Sequence, residues 1–220
     1  MADELEMSSQ RRLLTAMRCK QPDRIPIHVR GVRAWDDEWV ASRDVSYKPL
    51  IDAVREHCDW VVGWGVSAGW FLTAFPELHI ETQVHDAGDW VLHETIAHTP
   101  KGPLTHIRKV SKHDYPPLTH KFWVTCEEDL ERFLSVPYVP PEPDVQSFFD
   151  LTRRIGERGI VMVSLLDPIG YVHDLLGSEL LAIWSIERRD IIMQLVEMFT
   201  QRLYELISYL IARGVRGVFG

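Results

Sequence analysis

The sequence predicts an α/β fold built on a parallel sheet, with an antiparallel β insert near its middle. Three observations predict it. Asp59–Trp64 and Gly159–Leu166 are nearly continuous apolar runs, as expected of strands covered on both faces. Helical patterns alternate with these runs, an order that favours parallel strands joined by crossovers. Between them, from His79 to Val110, the pattern switches to strict alternation broken by turn residues.

Taken in order, Ser8 or Ser9 can cap a first helix reaching Cys19, with Leu13, Leu14 and Met17 on one face. Gln21-Pro22-Asp23 ends it, and Ile25–Val29 reads as a short strand. Tyr47–His57 is the next helix, striped by Leu50, Ile51 and Val54, and Asp59–Trp64 follows as a strand. The alternating segments HIETQVH, WVLHETIAH and LTHIRKV are separated by Asp86-Ala87-Gly88-Asp89 and Pro100-Lys101-Gly102-Pro103. They predict an antiparallel three-stranded insert over residues 78–110. His85, His93, His98 and His106 fall in or beside it and read as half-exposed pairing residues, because no carboxylate or cysteine motif fixes a metal geometry.

Thr125, followed by Cys126-Glu127-Glu128, opens another helix, since acids suit a helix N-terminus. Val136–Pro143 is a proline-rich connector, Asp144–Arg158 is helical, and Gly159–Leu166 is the third apolar strand. Gly177-Ser178-Glu179 punctuates two short helices. Ile186–Arg213 is the longest helix and Gly214 stops it. Val215–Phe219 then begins a fourth strand.

The composition, 45% apolar and 25% charged over 220 residues, allows one sizeable core. A net charge of −8 without any basic run argues against nucleic acid and anionic membrane surfaces as partners. The polar first ten residues lack the apolar core of a signal peptide, and no run of about 18 apolar residues occurs. Cys19, Cys58 and Cys126 are scattered in neither a disulfide nor a zinc-ribbon spacing. Cytoplasmic location is therefore expected.

Four sequence runs, in a fixed order, carry a family resemblance. The first is Arg11-Arg12-Leu13-Leu14 leading to Gln21-Pro22-Asp23-Arg24-Ile25-Pro26, and the second is the TPKGPLT run Thr99–Thr105 within the insert. The third is Trp123-Val124 with Glu128-Asp129-Leu130-Glu131 and Leu134–Pro137. The fourth is Gly177-Ser178-Glu179-Leu180 ahead of a long helix ending in Ala212-Arg213-Gly214-Val215. Together they resemble the uroporphyrinogen decarboxylase superfamily over nearly the whole chain. The resemblance implies a (β/α)8 TIM barrel, with residues 1–220 as its N-terminal half, and substrate bound at the C-terminal ends of the strands. A chain ending on an uncovered apolar strand, with four strands of eight, is expected to be part of a longer reading frame.

That superfamily includes decarboxylases and corrinoid-dependent methyltransferases. The decarboxylases carry an M-R-Q-A-G-R motif after the first strand and an aspartate at the end of the second. This chain has His28-Val29-Arg30-Gly31-Val32-Arg33 in the first place and Trp64-Gly65-Val66-Ser67-Ala68-Gly69-Trp70, with no carboxylate, in the second. Uroporphyrinogen is an octa-anion and needs cationic clamps, of which these windows supply few. The methyltransferases hold zinc with an H-x-C pair and a later Cys. No H-x-C occurs here, and those ligands are expected beyond residue 220. The adjacent His57-Cys58 has the wrong spacing, and Cys58 reads as core.

The strand-end rule selects the candidate site. His28, Arg30 and Arg33 follow the first strand; either arginine can clamp a carboxylate or phosphate, or pair with Asp36 or Asp37. Trp64 and Trp70 can stack on a flat ligand or pack beneath a loop. Asp167, ahead of Pro168, can orient substrate, act as a base or cap a helix, with Tyr171 and His173 close behind. The leading expectation is zinc- and corrinoid-linked methyl transfer from a small donor to a corrinoid protein or thiol. The alternatives are a decarboxylase of a porphyrinogen or smaller acid, and a non-catalytic small-molecule-binding barrel. Because half a barrel leaves an open sheet edge, the 220-residue chain is expected to be either associated, with a homodimer among the forms allowed, or poorly soluble. A monodisperse monomer in sedimentation would contradict this.

Overall fold

The computed structural model describes residues 6–113, 115–216 and 218–219. Residues 1–5 of the polar N-terminus, and Gly217 and Gly220 around the last expected strand, lie outside them. In chain order the first elements are helices α1 (Ser9–Met17), α2 (Asp37–Ala41) and α3 (Lys48–His57), then strands β1 (Trp60–Gly65), β2 (His79–Ala87), β3 (Trp90–Thr99), β4 (Gly102–Ser111) and β5 (Leu118–Lys121). Helices α4 (Glu127–Leu134) and α5 (Gln146–Ile155), strand β6 (Gly159–Ser164), helices α6 (Pro168–Glu187) and α7 (Arg189–Ala212), and strand β7 (Val218–Phe219) complete it. The protein is mixed α/β, with one parallel and one antiparallel sheet. The chain forms two compact units, the first Met1–Val66, Asp144–Leu165 and Arg213–Gly220, the second Ser67–Pro143 and Leu166–Ala212.

In the first unit the parallel sheet has the order β1-β6-β7. Strand β6 pairs with β1 from Trp60↔Gly159 to Gly65↔Ser164, and with β7 at Met162↔Val218. Val62 and Trp64 of β1, Ile160, Val161 and Val163 of β6, and Phe148 and Ile155 of α5 are buried. Ile51 and Val54 of α3 close on Val32 and Ala34, with Cys58 packed beside them, so Cys58 is a core residue as expected.

The first unit is pinned by an ion cluster. Asp59, with no exposure, sits just ahead of β1 and accepts a hydrogen bond from Arg12 Nη1 at 2.6 Å and from Arg24 Nη1 at 3.1 Å. Arg12, 2% exposed, also donates to Asp23 at 2.7 Å. Burial opposes ionisation of Asp59, but hydrogen bonds from Ser9, the Ile27 N–H and Arg12 hold its carboxyl below the usual range. The hydrogen bond from Arg12 lowers Asp23 further still.

One expected element is absent. Ile25–Val29 forms no strand, so three parallel strands stand among the described residues rather than four, and they do not close a barrel. Side chains take the donors that a ladder would use. Pro26 has no N–H to offer, the Ile27 N–H is taken by the Asp59 side chain at 3.0 Å, and the Val61 N–H goes to His28 Nδ1 at 3.4 Å. Only the Asp59 N–H reaches a backbone carbonyl there, that of Ile27, at 2.7 Å.

In the second unit the antiparallel sheet has the order β2-β3-β4-β5. It contains the three expected strands and one more, β5, joined to β4 across a bulge at Ile107/Arg108. Ala97 and Leu104 are buried, whereas all of β2 except Glu81 is exposed. Helix α4 begins after Cys126; Thr125 does not cap it but donates through Oγ1 to Asp129 at 2.8 Å. Helix α6 is kinked at Gly177 (φ 76°, ψ 168°), as the GSE punctuation led us to expect. Val172, Leu175 and Leu176 of α6 and Leu195, Phe199, Leu203, Leu206 and Leu210 of α7 are buried. No described helix is long and apolar enough to cross a membrane.

Replacing Asp59 by Ala leaves the buried Arg12 with Asp23 alone and removes the ion pair of Arg24, and is expected to cost about 1.5–3 kcal/mol in urea unfolding followed by circular dichroism. Both Asp23 and Asp59 have depressed carboxyl pKa values. Their stabilisation is therefore complete above the unfolded carboxyl value of about 4 and is lost as pH falls through the lower folded values.

Candidate active-site cavity

The second unit builds a cavity from an unusual turn. Trp70 and Thr73 exchange both backbone hydrogen bonds at 3.1 Å, so the chain reverses through Phe71 (φ 47°) and Leu72 (φ 63°) alone. Positive φ at two successive non-glycine residues is strained and persists only where the surroundings enforce it. Here they do. Arg202, 9% exposed, donates to the Phe71 carbonyl at 2.8 Å. Thr73 Oγ1 donates to the Pro137 carbonyl at 3.1 Å and accepts from the Val139 N–H at 2.9 Å. The Phe71 ring packs edge-on against Trp70, Trp123 and Phe133, with centroids 5.1, 6.4 and 5.3 Å away, and lies 6.0 Å from Phe199.

Strand β4 supplies the polar wall. His106 and Arg108 are two residues apart and share a face of the sheet, opposite Thr95 and His93 of β3. Trp123, just beyond β5, stacks on the His106 ring at 5.2 Å and 19°. The cavity, of about 480 Å³, is lined by Phe71, His106, Arg108, Phe122, Trp123 and Asp174 among others. Burial, and then the charge of Arg108, lowers the His106 pKa against an opposing pull from Asp174, so the imidazole is neutral at neutral pH. One wall is thus a guanidinium, another an indole–imidazole stack, and α6 supplies a carboxylate. Such a set orients a small polar molecule while presenting it with an aromatic surface. Phe122 also borders a second cavity of about 490 Å³ that includes Lys121, Gly177 and Glu179.

The expected site residues are distributed as follows. His28, Arg30, Arg33 and Trp64 belong to the first unit, and Trp70, Asp167, Tyr171 and His173 to the second. His28 caps the Val61 N–H, and Arg30 is exposed. Arg33 lies 3.5 Å from Asp36, the pairing weighed as its alternative. Trp64 is core: it is 6% exposed, meets Phe148 edge-on at 5.3 Å and donates through Nε1 to Ser147 Oγ at 3.0 Å. Asp167 caps α6, its Oδ1 accepting the Gly170 N–H at 2.6 Å with Pro168 in the first turn. Trp70 packs within the aromatic cluster, 5.4 Å from Trp123. Tyr171 stacks on Phe199 at 5.3 Å, and burial raises its phenol pKa. His173 meets Ser178 Oγ through Nε2 at 3.1 Å and stands 6.1 Å from Phe122.

Arg108, Asp174, Phe122 and Trp123 are not among the expected site residues, and His106 is expected there only as a pairing residue; the cavity brings all five together. The available signal was the His106-Ile107-Arg108 spacing, which puts both side chains on one face. The three cysteines stand apart. Cys19 and Cys126 are exposed, Cys58 packs in the core, and the metal-capable group among the described residues contains no cysteine. No protein-family model, no curated protein and no solved structure matches this sequence.

Phe122 is positioned by the glycine kink. A Cβ on Gly177 would lie 2.5 Å from two carbons of the Phe122 ring, at a φ that only glycine tolerates. Gly177→Ala is expected to lower stability by about 1–3 kcal/mol, read by thermal unfolding.

Proposed function

We propose that this chain is part of a (β/α)8-barrel enzyme of the uroporphyrinogen decarboxylase superfamily that transfers a methyl group from a small donor to a corrinoid protein or a thiol. Two things support the family and its fold. The four sequence runs occur in the superfamily's order. The parallel strands β1, β6 and β7 are neighbours in sequence order without a reversal, which suits a singly wound barrel better than a doubly wound sheet.

The cavity of the second unit carries the reading of a small substrate. It has one arginine, one neutral imidazole and one carboxylate in about 480 Å³. A single guanidinium matches one carboxylate or similar anion, bound bidentately, and cannot balance the eight of uroporphyrinogen. In this reading Arg108 anchors the donor's anionic end and Trp123 with Phe71 encloses its apolar part. Asp174 and neutral His106 orient the remaining polar group. Zinc would supply Lewis-acid polarisation of the donor or activation of a thiol. Its ligands are expected outside the described residues.

Incubation with reduced cobalamin and small methyl donors, followed by absorbance of methylcobalamin, tests the reaction. Arg108→Ala is expected to raise KM by about tenfold or more, the worth of a hydrogen bond to a charged group. An unchanged KM in that variant would remove the cavity from the proposal. Release of CO2 from a small acid without cobalamin methylation would replace methyl transfer by decarboxylation.

A further inference from the structure

The open face of the β2–β3 hairpin carries a group of side chains that the cavity does not use. His79 opens β2 and lies directly opposite His98 of β3 in the antiparallel register. Glu81 is two residues along β2 from His79, so its side chain emerges on the same face. The two imidazoles stack with centroids 5.4 Å apart and planes 29° apart. His98 Nε2 lies 3.1 Å from Glu81 Oε1. One donor atom from each of the three residues falls within 4.8 Å of the other two.

We propose that His79, Glu81 and His98 form a binding site for a divalent transition-metal ion of the zinc class, with water completing the coordination. Two imidazoles and one carboxylate match the ligand set of three-ligand zinc sites, and imidazole favours zinc-class ions over magnesium or calcium. Donors around a tetrahedral zinc lie roughly 3.4 Å apart, given bonds of about 2.0–2.1 Å. The 3.1 Å His98–Glu81 separation is already close to that, and rotation of the His79 side chain shortens the two edges to it, which lie within 4.8 Å. The support is rigid. The β2–β3 ladder continues without a bulge from His79↔His98 to Ala87↔Trp90, and Ala97, next to His98, is completely buried on the other face. The side chains of Glu81 and His98 are 42% and 47% exposed, so an ion reaches them without any opening of the fold. The site contains no cysteine and is separate from the zinc of the proposed methyl transfer. It holds whether or not that reaction is correct.

Hairpin position alone does not make such a site. His85 and Glu94 form a pair at 3.4 Å on the same two strands, but no second imidazole joins them. That pair is the internal control. Zinc chloride titrated calorimetrically into the whole 220-residue chain, in chelator-free buffer, is expected to show one ion bound. His79→Ala and His98→Ala should each weaken binding by about 10- to 100-fold, the range that even outer-shell partners of metal ligands are worth. Glu81→Gln should weaken it too, while His85→Ala should leave it unchanged. The isosteric glutamine variant keeps the test open if an alanine variant disturbs the sheet. Absence of zinc uptake overturns the proposal. So does uptake that survives the double change His79→Ala/His98→Ala, or that depends equally on His85.

Discussion

The second unit depends on a backbone reversal that its own residues disfavour. Phe71 and Leu72 both sit at positive φ, where a side chain crowds the backbone. Something must offset that cost, and two features do. A nearly buried guanidinium, Arg202, is committed to the Phe71 carbonyl, although burial lowers its pKa. Phe71 itself is clasped by Trp70, Trp123, Phe133 and Phe199. The turn therefore fixes where Trp123 lies, Trp123 fixes the His106 ring, and the cavity wall follows. Strain held by over-determined packing beside a polar cavity is a recurring property of functional sites.

The first unit rests on a different device. Asp59 is fully buried and ionised, which is tolerable only because Arg12 and Arg24 meet it from helix α1 and from the loop that follows. The same carboxylate takes the Ile27 N–H, so the loop is held beside β1 by a side chain instead of a ladder. Charge pairing thereby decides the path of residues that apolar pattern alone would assign to a strand.

Much of the fold was legible because its causes are local. The apolar runs became β1 and β6, the alternating segments became β2, β3 and β4, and Gly177 broke a helix at the expected place. What failed was what depends on distant partners. Ile25–Val29 looked like a strand until Asp59 claimed its donor. Strand β5, only Leu118–Lys121, is too short to announce itself and exists because β4 offers an edge. The site was less legible than the fold. Trp64 and Asp167 have residue types that suit function, but one is packed against Phe148 and the other caps a helix.

By itself the sequence determined the α/β class, the antiparallel insert and the stop of the long helix before Gly214, since periodicity, turn chemistry and glycine act within a few residues. Only the tertiary structure decided that His106 and Arg108 face Trp123 and Asp174, and that His79, Glu81 and His98 converge. Those meetings are set by strand register and by packing between segments tens of residues apart, and no local pattern encodes either.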